Sequence, residues 1–327
     1  MLLLNTGILS WCSEGKNPFA RYGLRPVPPS LFAALRLGLR AASREPWLLA
    51  VGLLVSLVRR AAVWPAWAVA WAVLARTAAL AVARRPLDPL APLEGSLATA
   101  TAPRFVALVA GLWLAGVIVG GLLRIAYVAG ALPTLGAAMA GADGPRFATG
   151  IAFGFPRVLA AAALGFVLEL AGGIFSATLA GAALWITHRV AGSGAAPLLA
   201  AAVALALTLA VAIPSVLSPL ADAGVARAAV AGEGPGEAFA AAGARVLRRP
   251  GTFLLAGMAF GLAALVAPGL VAGVGSALTG FAAFTNPLVL VGPNLMIAAA
   301  GAALASGVDL AWLGTITALA CGDVSHA

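Results

Sequence analysis

Six apolar runs constrain this chain more than any other feature. They are Trp47–Ala83, Phe105–Ala140, Arg157–Ile186, Pro197–Ala231, Gly251–Gly280 and Leu290–Cys321, each bounded by charge or by Pro/Gly clusters. About 20 apolar residues in a helix cross the ~30 Å of a bilayer's hydrocarbon, so every run is long enough and most are longer than needed. Excess length is absorbed by tilt, by a kink or by projection beyond the lipid. Pro65, Pro133, Pro214, Pro219, Pro268 and Pro293 are candidate kink sites, because each removes a helical hydrogen bond. Composition excludes water as the main solvent. Only 9% of the 327 residues are charged and 62% are apolar, whereas a soluble chain carries about 25% charged residues. The expected fold is therefore all-α, a polytopic membrane bundle of about six transmembrane helices.

The first run is ambiguous. As one helix it would extend ~55 Å at 1.5 Å per residue, yet Arg59 and Arg60 stand in its middle, just before Trp64-Pro65. One broken helix gives six crossings; two short spans with a turn there give seven and reverse everything downstream.

An internal repeat favours six. Three segments share an aromatic, small residues and arginine ahead of a long apolar run: Ser30–Arg40, Pro145–Arg157 and Glu237–Arg249. Ala138–Pro145 (Ala-Met-Ala-Gly-Ala-Asp-Gly-Pro) aligns with Ala229–Pro235 (Ala-Val-Ala-Gly-Glu-Gly-Pro) with one gap, and Ala318–Asp323 echoes the same Gly-acid ending. The units run over about 30–141, 145–232 and 235–323 within one transmembrane domain, 30–325. Each reads as a short amphipathic helix, a span, a loop, a second span and a Gly-acid turn. Residues 1–29 read as a disordered tail, with a translation start nearer Val27 left open. Ala-rich low complexity produces such matches by chance, so the bland alternative is an ordinary linker before each span.

The short helices follow a consistent pattern. Pro28-Pro29-Ser30 is a start signal with Ser30 as N-cap. Arg36, Arg40 and Arg44 recur every four residues beside an apolar stripe of Leu31, Phe32, Leu35 and Leu39, and the third segment carries Arg245, Arg248 and Arg249. A helix of this kind lies in the membrane interface with Arg at the phosphates and Phe/Leu in the acyl boundary. These six arginines are the candidate lipid head-group contacts, and anionic lipids are the expected partners. The bland reading is that they only set topology.

Cations divide unevenly between the two sides. With the short helices lie Lys16, Arg21, Arg25, Arg36, Arg40, Arg44, Arg146, Arg157, Arg227, Arg245, Arg248 and Arg249; opposite lie Arg84, Arg85, Arg104 and Arg189. Positive residues concentrate on the cytoplasmic side, so the chain is expected in a bacterial inner membrane with both termini cytoplasmic. Arg84-Arg85 runs against that count.

The repeated phrase Gly-Asp/Glu-Gly-Pro, then Ala-Phe and Arg-Val-Leu, leading into a span, resembles a group of bacterial six-helix integral membrane proteins. That group includes the membrane domain attached to some glycerophosphoryl diester phosphodiesterases. The resemblance covers residues 30–325 and implies an α-helical membrane domain with interfacial helices. It implies no catalysis, which in those proteins resides in a separate soluble barrel.

Catalytic constellations are sparse. His188 and His326 are the only histidines, neither within HExxH or a metal-ligand cluster. Cys12 and Cys321 stand at opposite ends outside any CxxC. Gly192-Ser193-Gly194 has the look of a nucleophile turn but no His/Asp set to activate Ser193. No cofactor, metal or nucleic-acid partner is expected, and no enzyme activity. Charges inside the runs are more informative, because each is expensive in lipid. Arg59, Arg60, Arg76, Arg124, Glu169, Asp222 and Asp309 qualify. Arg124, Glu169, Asp222 and Asp309 are the candidates for a polar pathway or a buried ion pair, Arg124 with Glu169 being the natural couple. Gly116-xxx-Gly120, Gly257-xxx-Gly261 and Gly269-xxx-Gly273 permit close helix packing, and Trp47, Trp64 and Trp67 are candidate interface anchors.

Two functional classes follow. The favoured one is a non-catalytic scaffold, assembly or lipid-contacting factor, with a membrane protein among its possible partners. The alternative is a transporter or channel-like permease using the intramembrane charges. Convergence of those charges on a wet cavity separates the two.

Overall fold

A computed structural model describes residues 30–141, 147–190, 196–282 and 291–321. The tail with Cys12, the Gly192–Gly194 turn and His326 lie outside the described residues, as does the side chain of His188. Among the described residues there are nine helices and no strand: α1 Leu31–Arg44, α2 Trp47–Arg84, α3 Ala91–Ala100, α4 Pro103–Ala140, α5 Phe147–Val190, α6 Ala196–Val230, α7 Pro235–Arg248, α8 Pro250–Ala282 and α9 Val291–Cys321. Six of them (α2, α4, α5, α6, α8 and α9) are long and apolar enough to cross a bilayer. Lipid offers no hydrogen-bond partner to a backbone, so the helix, which satisfies its own, is what such runs must form. The ambiguous first run is one continuous helix with Pro65 inside it.

α1 and α7 correspond position by position. Ser30 caps α1 by accepting from the Ala33 N–H at 3.3 Å. α7 opens after Gly234 with Pro235 in its first turn, and Glu237 turns back to accept from the Gly234 N–H at 3.3 Å. Both helices end in arginine, Arg44 and Arg248, and both break at one polar residue before a proline. Those residues, Glu45 (φ −123°) and Arg249 (φ −141°), have left the helical region, as a residue preceding proline favours. The second unit departs from expectation, because Phe147–Val190 is one helix running straight through Pro156. Glu45 and Arg249 can turn to water. Phe155 lies within an apolar stretch, where a break would strand backbone groups without partners.

Packing divides the described residues into two compact units. Val51–Tyr127 forms the smaller, and the residues on either side of it form the larger. The core of the larger is built from three helix ends: the last turns of α4 (Val128–Ala138), those of α6 (Ala221–Val230) and the second half of α9 (Leu310–Cys321). Their side chains are mostly Ala, Gly and Thr, which lets the backbones approach closely; a Cβ on Gly136 would stand 3.1 Å from the Val230 Cγ1. α9 is the most enclosed span: 61% of its apolar window is buried, against 22% or less in the others. α4 and α6 both stop in a left-handed glycine, Gly141 (φ 68°) and Gly232 (φ 70°), where the missing Cβ makes that turn inexpensive. These are the turns read from the repeat.

Around this core the short segments follow one rule. α1 lies on α9, where a Cβ on Gly38 would come within 2.6 Å of the Thr315 nitrogen. The start of α5 lies on α4, with the Phe147 ring against Gly130 and edge-on to Trp47 at 5.3 Å. α7 lies on α6, with the Phe239 ring against Gly224. Each segment thus docks on the closing helix of the preceding unit, and the first docks on the last. Prolines sharpen two contacts. Pro133 offers no N–H to the Ala129 carbonyl, and Gly150 of α5 comes against that oxygen, where a Cβ would sit 2.9 Å away. Pro219 likewise withholds a donor from Ser215, whose carbonyl meets Gly257 of α8. Glycine's Cα–H approaches such an oxygen at little steric cost.

In the smaller unit, Gly116 of α4 packs against the Ala62 carbonyl of α2, and Gly120 against the Arg59 stem. Arg85 bonds Glu94 at 3.0 Å and Asp88 at 3.4 Å. One of the two cations that ran against the topology count, Arg85, is therefore paired with acids where it stands.

Candidate functional site

The six arginines read as head-group contacts divide into two sets. A helix leaves its last four carbonyls without intrahelical donors and carries partial negative charge there, so cations favour that end. Arg44 donates Nη1 to the Ala138 carbonyl near the end of α4 at 2.8 Å. Arg245 donates Nη1 to the Leu319 carbonyl near the end of α9 at 3.0 Å. These two act within the fold. Arg36 and Arg40 on α1, Arg248 at the end of α7 and Arg249 beyond it are exposed, and their side chains have no partner among the described residues.

Sequence reasoning missed a third cap. Arg227 is buried at the end of α6, donates Nη1 to the Ala320 carbonyl at 3.0 Å, and pairs with Glu233 through Nε at 2.7 Å and through Nη2. It reads in the sequence as one more topology-setting cation. Its only signal is position, one turn before a helix end with an acid just past the Gly232 turn. Cys321, between these carbonyls and the chain end, is a buried free thiol.

The outward face of the short helices is mixed. Small residues (Ala34, Gly38 and Ala41 on α1) are the ones turned inward. That leaves Phe32 82% exposed and Leu39 uncovered beside Arg36 and Arg40, while Leu247 of α7 is 82% exposed beside Arg248 and Arg249. Of the apolar stripe expected at the acyl boundary, Phe32 and Leu39 are exposed, and Leu31 and Leu35 are half-buried. Small residues win the inward positions because helix axes come closest where no side chain intervenes.

The four candidate intramembrane charges are placed on four different helices: α4, α5, α6 and α9. Asp222 on α6 accepts from the Trp312 indole Nε1 of α9 at 2.6 Å, and Trp312, itself packed on Phe260, is buried. Asp309 lies one turn before Trp312 on α9 and is half-buried. Arg124 is half-buried on α4 in the smaller unit. Glu169 is exposed and makes no hydrogen bond or salt bridge among the described residues. The ion pair expected of Glu169 is therefore not formed among them. The hydroxyls of Ser176 and Ser306 are buried without a hydrogen-bond partner.

Fold and site define a class: a multi-pass α-helical integral membrane protein whose arginine-rich short helices wrap a core of converging helix ends. Comparison with protein-family models, with curated proteins and with solved structures returned no match.

Proposed function

We propose that this protein is a non-catalytic scaffold of the bacterial inner membrane that holds anionic lipid head groups at the cytoplasmic leaflet, with both termini in the cytoplasm. The observation that carries this reading is two pairs of exposed arginines, Arg36 and Arg40 on α1 and Arg248 and Arg249 at the end of α7. Their guanidinium groups are exposed and without partners among the described residues, beside uncovered Phe32, Leu39 and Leu247. Guanidinium forks match phosphate oxygens bidentately, and the neighbouring apolar side chains suit the acyl boundary immediately below. The cation count on that side and the resemblance to the membrane domain of glycerophosphoryl diester phosphodiesterase-type proteins support the same placement. Arg44 and Arg245 are structural in this reading and contribute little to lipid contact.

The test is native mass spectrometry of the protein extracted with its own lipids. The wild type is expected to retain phosphatidylglycerol or cardiolipin. Each single Arg→Gln change at 36, 40, 248 or 249 is expected to weaken retention about five-fold, from ~1 kcal/mol per basic residue near an anionic surface. Equal retention by the quadruple variant overturns the proposal.

A further inference from the structure

Glu169 poses a problem that lipid cannot solve. It follows Pro156, at the junction between short segment and span, by thirteen residues on α5, so it sits ~20 Å along the helix axis from that junction. In a hydrocarbon layer ~30 Å thick this is a deep position. A long arginine can snorkel to the interface from such a depth, but a glutamate side chain is too short. Its neighbours on the same face are Phe166, 64% exposed, and Gly173, where an added Cβ would meet nothing within 4 Å. The carboxylate therefore stands on a flat apolar face open to close approach by another helix.

The complementary charge is carried by the same chain. Arg60 follows Pro46, the equivalent proline of the first span, by fourteen residues, and a six-span topology makes these the first and third crossings of the sequence. Counted along the sequence from those prolines, the two charges differ in register by one residue. Arg60 is exposed and has no partner among the described residues. It belongs to a seam of exposed side chains, Leu57, Arg60, Trp64, Trp67 and Trp71. Their alternating spacing of three and four is the repeat by which parallel helices interlock. Three tryptophans uncovered in succession also exceed what interface anchoring requires, because belt tryptophans sit at the head-group level, whereas buried Trp and Arg dominate protein–protein contacts.

We infer that the Leu57–Trp71 seam of α2 in one copy docks on the Phe166–Glu169–Gly173 face of α5 in a second copy, with Arg60 paired to Glu169. The contact is heterologous, since each copy offers one seam of each sign, and repetition of such a contact closes a ring when the rotation permits. Pairing keeps both ions charged in lipid and positions the tryptophans over the small residue at Gly173.

The experiment uses the full chain with Cys12→Ser and Cys321→Ala, co-expressed as two differently tagged copies. One copy carries Trp64→Cys and the other Gly173→Cys, each one turn beyond its charge, so that Arg60 and Glu169 stay intact. Mild oxidation in native membranes is expected to give a covalent heterodimer that neither copy forms alone. Glu169→Arg in the Gly173→Cys copy is expected to reduce the yield at least ten-fold, Glu169→Gln several-fold, and Arg60→Glu in the other copy to restore the loss caused by Glu169→Arg. The inference is overturned by absence of the heterodimer, by a yield indifferent to charge reversal, or by a chain bearing both cysteines that closes on itself without dimerising. Recovery of a different protein, rather than a second copy, cross-linked to either cysteine also overturns it.

Discussion

Arg227 is the one buried charged side chain among the described residues, and its surroundings show why it tolerates burial. One nitrogen serves the end of α9 and two serve Glu233, so the guanidinium is largely satisfied. Removing one partner of such a pair leaves the other uncompensated. Arg227→Ala is expected to destabilise the protein by about 3–5 kcal/mol, as for buried pairs broken from one side, read as the midpoint of unfolding in mixed micelles. Arg227→Lys retains the charge but loses the fork and falls between. The Asp222–Trp312 contact is a smaller case. Trp312→Phe preserves an aromatic ring against Phe260 and removes the indole donor, with an expected loss of about 1.5–3 kcal/mol for a hydrogen bond to a charged group. Neither partnership was legible in the sequence. Arg227 and Leu319–Ala320 are joined only by tertiary packing, as are Asp222 and Trp312. What was legible was only that Asp222, placed in an apolar run, is expensive in lipid.

Small-residue contact governs the next scale. Gly38 on α1 and Gly314 on α9 touch backbone to backbone, so any side chain at either must push the helices apart. Gly38→Leu is expected to cost at least the 1–3 kcal/mol typical of overpacking and to expose the inner face of α1 to proteolysis at Arg40 or Arg44. Gly243 on α7 provides the contrast, since an added Cβ there meets nothing within 4 Å. Gly243→Ala is expected to stabilise by up to about 1 kcal/mol through helix propensity alone. Much of the helical pattern was legible: Ser30 as a cap, Trp47 and Gly251 as the approximate starts of spans, Gly141 and Gly232 in the closing turns. The fusion of the second short segment into α5 was not, because the same proline that opens α2 and α8 is carried inside a helix where its neighbour is Phe155 rather than a charged residue.

At the scale of the whole molecule, six helices are long and apolar enough to cross a bilayer, and the proposed topology turns on that number. Reporter fusions after Asp143 and Gly234 are expected to report cytoplasm, and fusions after Gly95 and Ser193 periplasm. A seventh crossing would invert all four, and the continuity of Trp47–Arg84 as one helix argues against it. Docking puts α1 on α9, the start of α5 on α4 and α7 on α6. The candidate lipid site was half legible. The arginine spacing located α1 and α7 correctly, but only their orientation on the core separated Arg36, Arg40, Arg248 and Arg249 from Arg44 and Arg245, which bond helix-end carbonyls.

The sequence by itself determined the solvent and the secondary structure. A chain with so few charges must live in lipid, and lipid permits its backbone only the helix. It also marked several helix boundaries, such as the Ser30 cap and the Gly141 and Gly232 stops, because caps and left-handed glycines act over a few residues. Tertiary structure alone decided which arginine meets a helix end, which glycine meets a carbonyl, and that Glu169 is left facing outward. Those outcomes depend on which helix lies against which. In a bundle of Ala, Leu and Val, hydrophobic periodicity cannot announce that choice, since the side facing lipid is as apolar as the side facing protein.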